Sequence, residues 1–139
     1  MKLGFEDDFI VEVYTKEIRP ILEFGVPVWN GALSKKNSDK IENIQKIIAR
    51  MVFKGDYSSY SKSCDTLKLE KLHQRRQKLC LNFARKEYKK PDGGIFKKKV
   101  TRSKRIQHNF LVEEPKARTS SYTKSCLSYL SKLLNTHGE

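Results

Sequence analysis

The chain has 139 residues, 37% hydrophobic and 32% charged, with 29 Lys and Arg against 16 Asp and Glu, a formal charge of +13. The length suits a single modest domain, and the apolar share lies below the usual ~45–50%, so the core is expected to be thin or completed by a partner. A basic surplus of this size points to polyanions, nucleic acid or an anionic membrane surface; a merely solvated basic face is the alternative.

No apolar run approaches the ~20 residues that span a bilayer, and the opening MKLGFEDDF lacks the apolar stretch of a signal peptide. No membrane partner is expected. Cys64, Cys80 and Cys126 are odd in number and widely spaced, which reads as reduced thiols in an intracellular protein of the nucleus or cytoplasm.

Residues 1–30 carry six acids and three bases. Asp7 or Asp8 suits a helix N-cap, and Ile10, Tyr14, Ile18 and Ile21 follow at spacings of four, four and three, one helical face. Pro20 predicts either a kink or a restart with the proline in the first turn. Gly25 and Pro27 end that helix, and Val26, Val28 and Trp29 are expected to be buried in the link, Trp29 as a core anchor rather than a stacking platform.

A second helix is expected from Asn37 or Ser38, with Ile41, Ile44, Ile47, Ile48, Met51 and Val52 as its apolar stripe and Gly55 as its C-terminal cap. Ser59 is placed to start a short helix reaching about Leu67. A third long helix is expected from Leu69 to Tyr88, burying Leu69, Leu72, Leu79, Cys80, Phe83 and Ala84.

Lys90–Gly94 (KPDGG) is a breaker and the expected internal boundary. From Arg85 to Arg105 there are ten bases and two acids. Ile106, His108, Phe110 and Val112 alternate, which allows a short strand. The last element is expected as one helix from Ser120 to Asn135, packing through Tyr122, Cys126, Tyr129, Leu130, Leu133 and Leu134. The whole reads as all-α, a small bundle of four or five helices with a basic, partly irregular arm. Residues 1–90 form a helical module, 91–118 the arm, and 119–139 a helix packing back.

The basic surface is the strongest chemical signal. Lys71, Arg75, Arg76, Lys78, Arg85 and Lys86 along the third helix, with Lys89 and Lys90 just after it, are placed to track a phosphate backbone. Lys97, Lys98, Lys99, Arg102, Lys104 and Arg105 form an arm of the kind that folds on nucleic acid. Tyr88, Phe96 and Phe110 are candidates to stack on bases, with core packing as the alternative. The partner expected is nucleic acid: RNA, DNA or a hybrid. His73, Cys64 and Cys80 lack the paired spacing of a zinc site, and three histidines without an adjacent nucleophile make no triad, so neither a metal nor a cofactor is expected.

The residues also carry a resemblance. IRPILEFG (18–25), then PVW (27–29), then IENIQK (41–46), is similar to the region after the palm in non-LTR (LINE-type) retrotransposon reverse transcriptases, whose pattern is R-P-I/V-L-E-Y-G-x-P-V-W followed by an L/I-E-x-I/V-Q helix. LKLEKLHQRRQKLC (67–80) resembles their L-x-L-x-x-L-x-x-R-R segment, and ART (117–119) with YLSKLLN (129–135) resembles their C-terminal tail. Cys126 and Ser128 stand where that tail usually has prolines, which leaves the last helix uninterrupted.

The resemblance implies a thumb and tail without fingers or palm. The carboxylates that hold two metal ions for polymerisation belong upstream of the block that begins here at Arg19. FEDD (5–8) mimics the F/Y-x-D-D polymerase signature but lies too close to that block and fits a capping role. The expected activity is therefore non-catalytic: binding of a template–primer type duplex by charge and shape, with the missing palm of a parent polymerase as a further partner. A helical protein-interaction module, an unrelated basic chromatin-type protein and a transposon remnant without selected function are the alternatives.

Overall fold

A computed structural model describes residues 5–99 and 111–137. Arg102, Lys104 and Arg105, and the expected strand apart from Val112, lie outside the described residues. Helix α1 (Phe5–Val13) carries Glu6, Asp7 and Asp8 in its first turn, where carboxylates oppose the positive end of the helix dipole. A π-helical turn, Tyr14–Ile18, follows; the Arg19 N–H donates to the Tyr14 carbonyl five residues back. Helix α2 (Arg19–Glu23) then starts with Pro20 in its first turn, so Pro20 marks a restart. The wider turn shifts the helical phase and breaks up the expected shared face. Tyr14 is fully buried, whereas Ile21 is 75% exposed.

Phe24 is extended and Gly25 left-handed at φ 63°, which turns the chain into α3 (Val26–Trp29) and a 3-10 turn, Asn30–Ala32. Val26 is buried and Trp29 half-buried. Val28 is 67% exposed, against expectation, because two steps along a helix turn a side chain about 200° away.

Helix α4 (Lys35–Phe53) begins earlier than expected, capped by Ser34, whose Oγ accepts from the Asn37 N–H at 3.3 Å. It buries Glu42, Gln45, Ile48, Ala49, Val52 and Phe53. The isoleucine stripe is thus rotated: Ile47 is exposed and Met51 is 53% exposed. Glu42 and Gln45 can replace them inside because both find hydrogen-bond partners there. Lys54, not Gly55, takes the positive φ (45°) at the end of the helix.

Helix α5 (Tyr60–Thr66) starts where the sequence suggests, with Ser59 Oγ accepting from the Lys62 N–H at 3.3 Å. Helix α6 (Leu72–Tyr88) buries Leu72, Arg76, Cys80 and Ala84; Phe83, expected inside, is on the exposed side. After it, Gly93 and Gly94 adopt φ of 80° and 58°. A Cβ on Gly94 would lie 2.7 Å from the Glu87 carbonyl oxygen, so the backbone passes where no side chain fits.

Residues 97–99 and 111–113 then pair antiparallel around an isolated Lys98–Val112 bridge, with Lys99 N–H donating to Leu111 O at 3.0 Å and Glu113 N–H to Lys97 O at 2.9 Å. The described residues contain no longer ladder. The chain closes with α7 (Ser120–Thr123) and α8 (Cys126–His137), which corrects the expectation of one uninterrupted helix. The break at Lys124–Ser125 coincides with close packing of Gly31. A Cβ there would lie 2.6 Å from Tyr129 Cβ and 3.2 Å from the Lys124 carbonyl. Only a residue without a side chain fits at position 31 against that segment.

The architecture is all-α, as the periodicities imply. The chain divides into two compact units. The first is Met1–Phe24 with Ser34–Arg75, and the second Gly25–Leu33 with Arg76–Glu139. The division falls within α6 and not at the 90–94 breaker. The first unit has a small apolar core of Ala49, Val52, Phe53 and Leu67, flanked by Ile10, Val11, Tyr57 and Leu69. The second has a larger one, centred on Val26, Cys80, Ala84, Phe96, Val112, Leu130, Leu133 and Leu134. Each fully buried Leu or Val there contributes ~1.5–3 kcal/mol relative to exposure. No described helix is long and apolar enough to cross a membrane.

Candidate nucleic-acid interface

Several charges that look functional in the sequence are structural in the first unit. Arg75 donates through Nε to Glu23 Oε1, and Arg19 Nε lies 4.0 Å from the same oxygen. Glu23 is held between two guanidinium groups, so Arg75 is engaged with a carboxylate. Lys71, four residues earlier, is half-buried.

Glu42 does comparable work on the N-terminus of α6. Its Oε1 accepts from the Leu72 N–H at 3.1 Å and from the Tyr60 hydroxyl at 2.5 Å, and its Oε2 accepts from the His73 N–H at 2.9 Å. A helix leaves its first N–H groups without intrahelical partners, and a buried carboxylate 30 residues away satisfies two of them. Gln45, one turn on, accepts from the Tyr14 hydroxyl at 2.7 Å and donates to the Glu70 carbonyl at 3.1 Å. Burial pushes the Tyr14 hydroxyl well above the ordinary tyrosine range, and burial with the Glu42 hydrogen bond does the same for Tyr60. Both therefore stay neutral hydrogen-bond donors at physiological pH.

In the second unit Arg76 is 2% exposed, and its Nε donates to Asn30 Oδ1 at 3.2 Å. Asn30 in turn donates to the Tyr129 hydroxyl at 3.0 Å. Arg76 is an interior group, which removes it from the phosphate-tracking set. The reason is its register: it lies four residues before Cys80, on the face that α6 buries.

The remaining bases of that set are at or near the surface. Lys78, Lys86 and Lys89 are exposed on α6 and just beyond it, as are Lys97 and Lys99. Lys90 pairs with Glu87 at 2.7 Å, Arg85 donates to the His137 carbonyl at 2.9 Å, and Lys98 lies 5.0 Å from the centre of the Tyr88 ring. Of the stacking candidates, Phe96 is core, Tyr88 carries Lys98, and Phe110 lies outside the described residues.

Counted by unit, the charge is uneven. The first unit has 13 bases against 11 acids, +2; the second has 16 against 5, +11. Sequence reasoning placed the surplus in residues 85–105 and passed over Lys116, Arg118, Lys124 and Lys132, all exposed in the second unit. It also assigned Tyr122 to the packing side. The helix break frees that ring, which is 45% exposed.

Burial pushes the Cys80 thiol up to about 11, with the neighbouring Cys126 adding to the rise, and burial raises Cys126 as well. Both remain protonated at neutral pH and are poor nucleophiles. Among the described residues no group of His, Cys, Asp and Glu is placed to hold a metal ion. No protein-family model, characterised protein or solved structure matches this chain.

Proposed function

We propose that the chain is a non-catalytic nucleic-acid-binding module of the kind that its short blocks resemble, the thumb and tail of a non-LTR retrotransposon reverse transcriptase. It grips a template–primer type duplex by charge and shape, and in a parent polymerase it would hold that duplex beside the palm. The observation that carries the reading is the charge of the second unit, +11, with Lys78, Lys86, Lys89, Lys97 and Lys99 exposed. Positive side chains without enough carboxylates to neutralise them attract phosphates and release counterions on binding.

The test is affinity for an RNA–DNA hybrid across a salt series. A surface touching about five phosphates gives a log–log slope near −4.5. Absent binding at low salt, or a flat salt response, overturns the reading. A second reading, a protein-interaction module, is favoured by Phe24 at 84% exposed beside Ile21 in the first unit. A chain that runs as a compact monomer and binds no hydrophobic dye would argue against it.

A further inference from the structure

The pairing of residues 97–99 with 111–113 sends alternate side chains to opposite faces. Lys98 goes to the Tyr88 ring, while Lys97 and Lys99 line a groove of about 770 Å³ that Lys116 also borders. That volume is in the ~300–1,000 Å³ range of sites that enclose small ligands. Tyr122 and Ile95, both partly exposed, give the groove an apolar, aromatic wall.

Its floor is braced. Asn135 accepts from the Val112 N–H at 3.1 Å and donates to the Val112 carbonyl at 3.2 Å and to Glu114 Oε1 at 3.1 Å. Both amide hydrogens of Asn135 are thereby used, so it holds the groove in shape rather than meeting a ligand.

We infer that this groove takes a single-stranded stretch of nucleic acid, with one base stacked on Tyr122 and the flanking phosphates held by Lys97, Lys99 and Lys116. The inference rests on the nucleic-acid reading of the second unit and adds strandedness to it. A paired base inside a duplex offers its face to its neighbours, whereas an unpaired base can lie on a tyrosine. Glu113 and Glu114 also line the groove. They repel phosphate, but they accept hydrogen bonds from the exocyclic amino groups of bases. A mixed lining of lysine, carboxylate and aromatic suits an occupant that presents phosphates, amino donors and ring faces together. An acidic peptide would meet the two carboxylates with nothing to donate from its side chains.

The experiment uses the full chain with three fluorescent probes: a blunt RNA–DNA hybrid, the same hybrid with a single-stranded overhang of roughly 8 nucleotides, and the overhang strand alone. The overhang is expected to tighten binding relative to the blunt hybrid. Tyr122→Ala is expected to weaken overhang and single-strand binding about 5- to 100-fold while leaving the blunt hybrid unchanged, and Tyr122→Phe to restore it. The double variant Lys97→Ala/Lys99→Ala gives an independent reading by lowering the salt slope for the single strand by about 1.4. Equal affinity for blunt and overhang probes, unmoved by Tyr122→Ala, overturns the groove assignment and leaves the duplex-binding reading standing. No binding of any probe at low salt removes both. Displacement of the single strand by polyglutamate as readily as by unlabelled strand also overturns the assignment, in favour of a generic anion site.

Discussion

The two units bury comparable polar groups but differ in how many carboxylates they hold against their bases. In the first, a small apolar core is supplemented by buried or half-buried polar contacts: Tyr14 with Gln45, Glu42 with Tyr60 and the start of α6, Glu23 with Arg19 and Arg75. Its acids nearly balance its bases, and at least two of them are committed to holding elements together. The second unit has a larger apolar core and buries one arginine, Arg76, on Asn30, and its few carboxylates leave most lysines facing water. Polar contacts inside a fold give geometric specificity but remove charges from the surface. An apolar core leaves the surface available for a ligand.

Four experiments break or sharpen that contrast. The largest stability effect is expected from Leu134→Ala, fully buried in the second unit, at ~2–5 kcal/mol by chemical denaturation. Glu42→Ala should cost ~2–4 kcal/mol, because it orphans two N–H groups of α6 and the Tyr60 hydroxyl. Hydrogen exchange should show the loss first at residues 72–73. If Glu42→Ala leaves both stability and that protection unchanged, the first unit does not depend on its polar clamp.

Charge reversal separates the units by function rather than stability. Lys86→Glu/Lys89→Glu in the second unit should reduce the salt slope of hybrid binding by about 2 or more, whereas Lys35→Glu/Lys36→Glu in the first should change it little. Equal losses from the two doubles would dissolve the functional contrast. The smallest effect concerns pH. The folded chain holds the Cys80 thiol protonated up to about 11, above its ordinary value near 9. The folded state therefore binds the proton more tightly than the unfolded chain. That contribution to stability is complete below pH 9 and is lost as pH rises through 11. Cys80→Ala should reduce the alkaline decline over that window in a pH series of thermal melts, leaving the share of Cys126 and, from about pH 10 upward, of the buried tyrosines.

Much of the local structure is legible along the chain. Ser59 starts a helix, Pro20 restarts one, Gly25 takes the left-handed turn, and α6 ends where its periodicity stops. These features follow from covalent geometry and near-neighbour hydrogen bonding. The errors share a different origin. The sequence of α4 presents an isoleucine stripe, and nothing local shows that Glu42 has Tyr60 and two α6 amides to meet. Arg76 looks like its neighbours until Asn30 is found beside it. The close approach of Tyr129 to Gly31, nearly a hundred residues earlier, is equally invisible in the local pattern.

The order of residues alone determined the helical class, the positive surplus and the places where helices begin and turn, because periodicity, capping and net charge depend only on neighbours in the chain. Tertiary packing decided which charges stay in water. Whether an arginine or a glutamate is a binding group or a structural one depends on the group it meets inside the fold, and that group is usually distant in sequence.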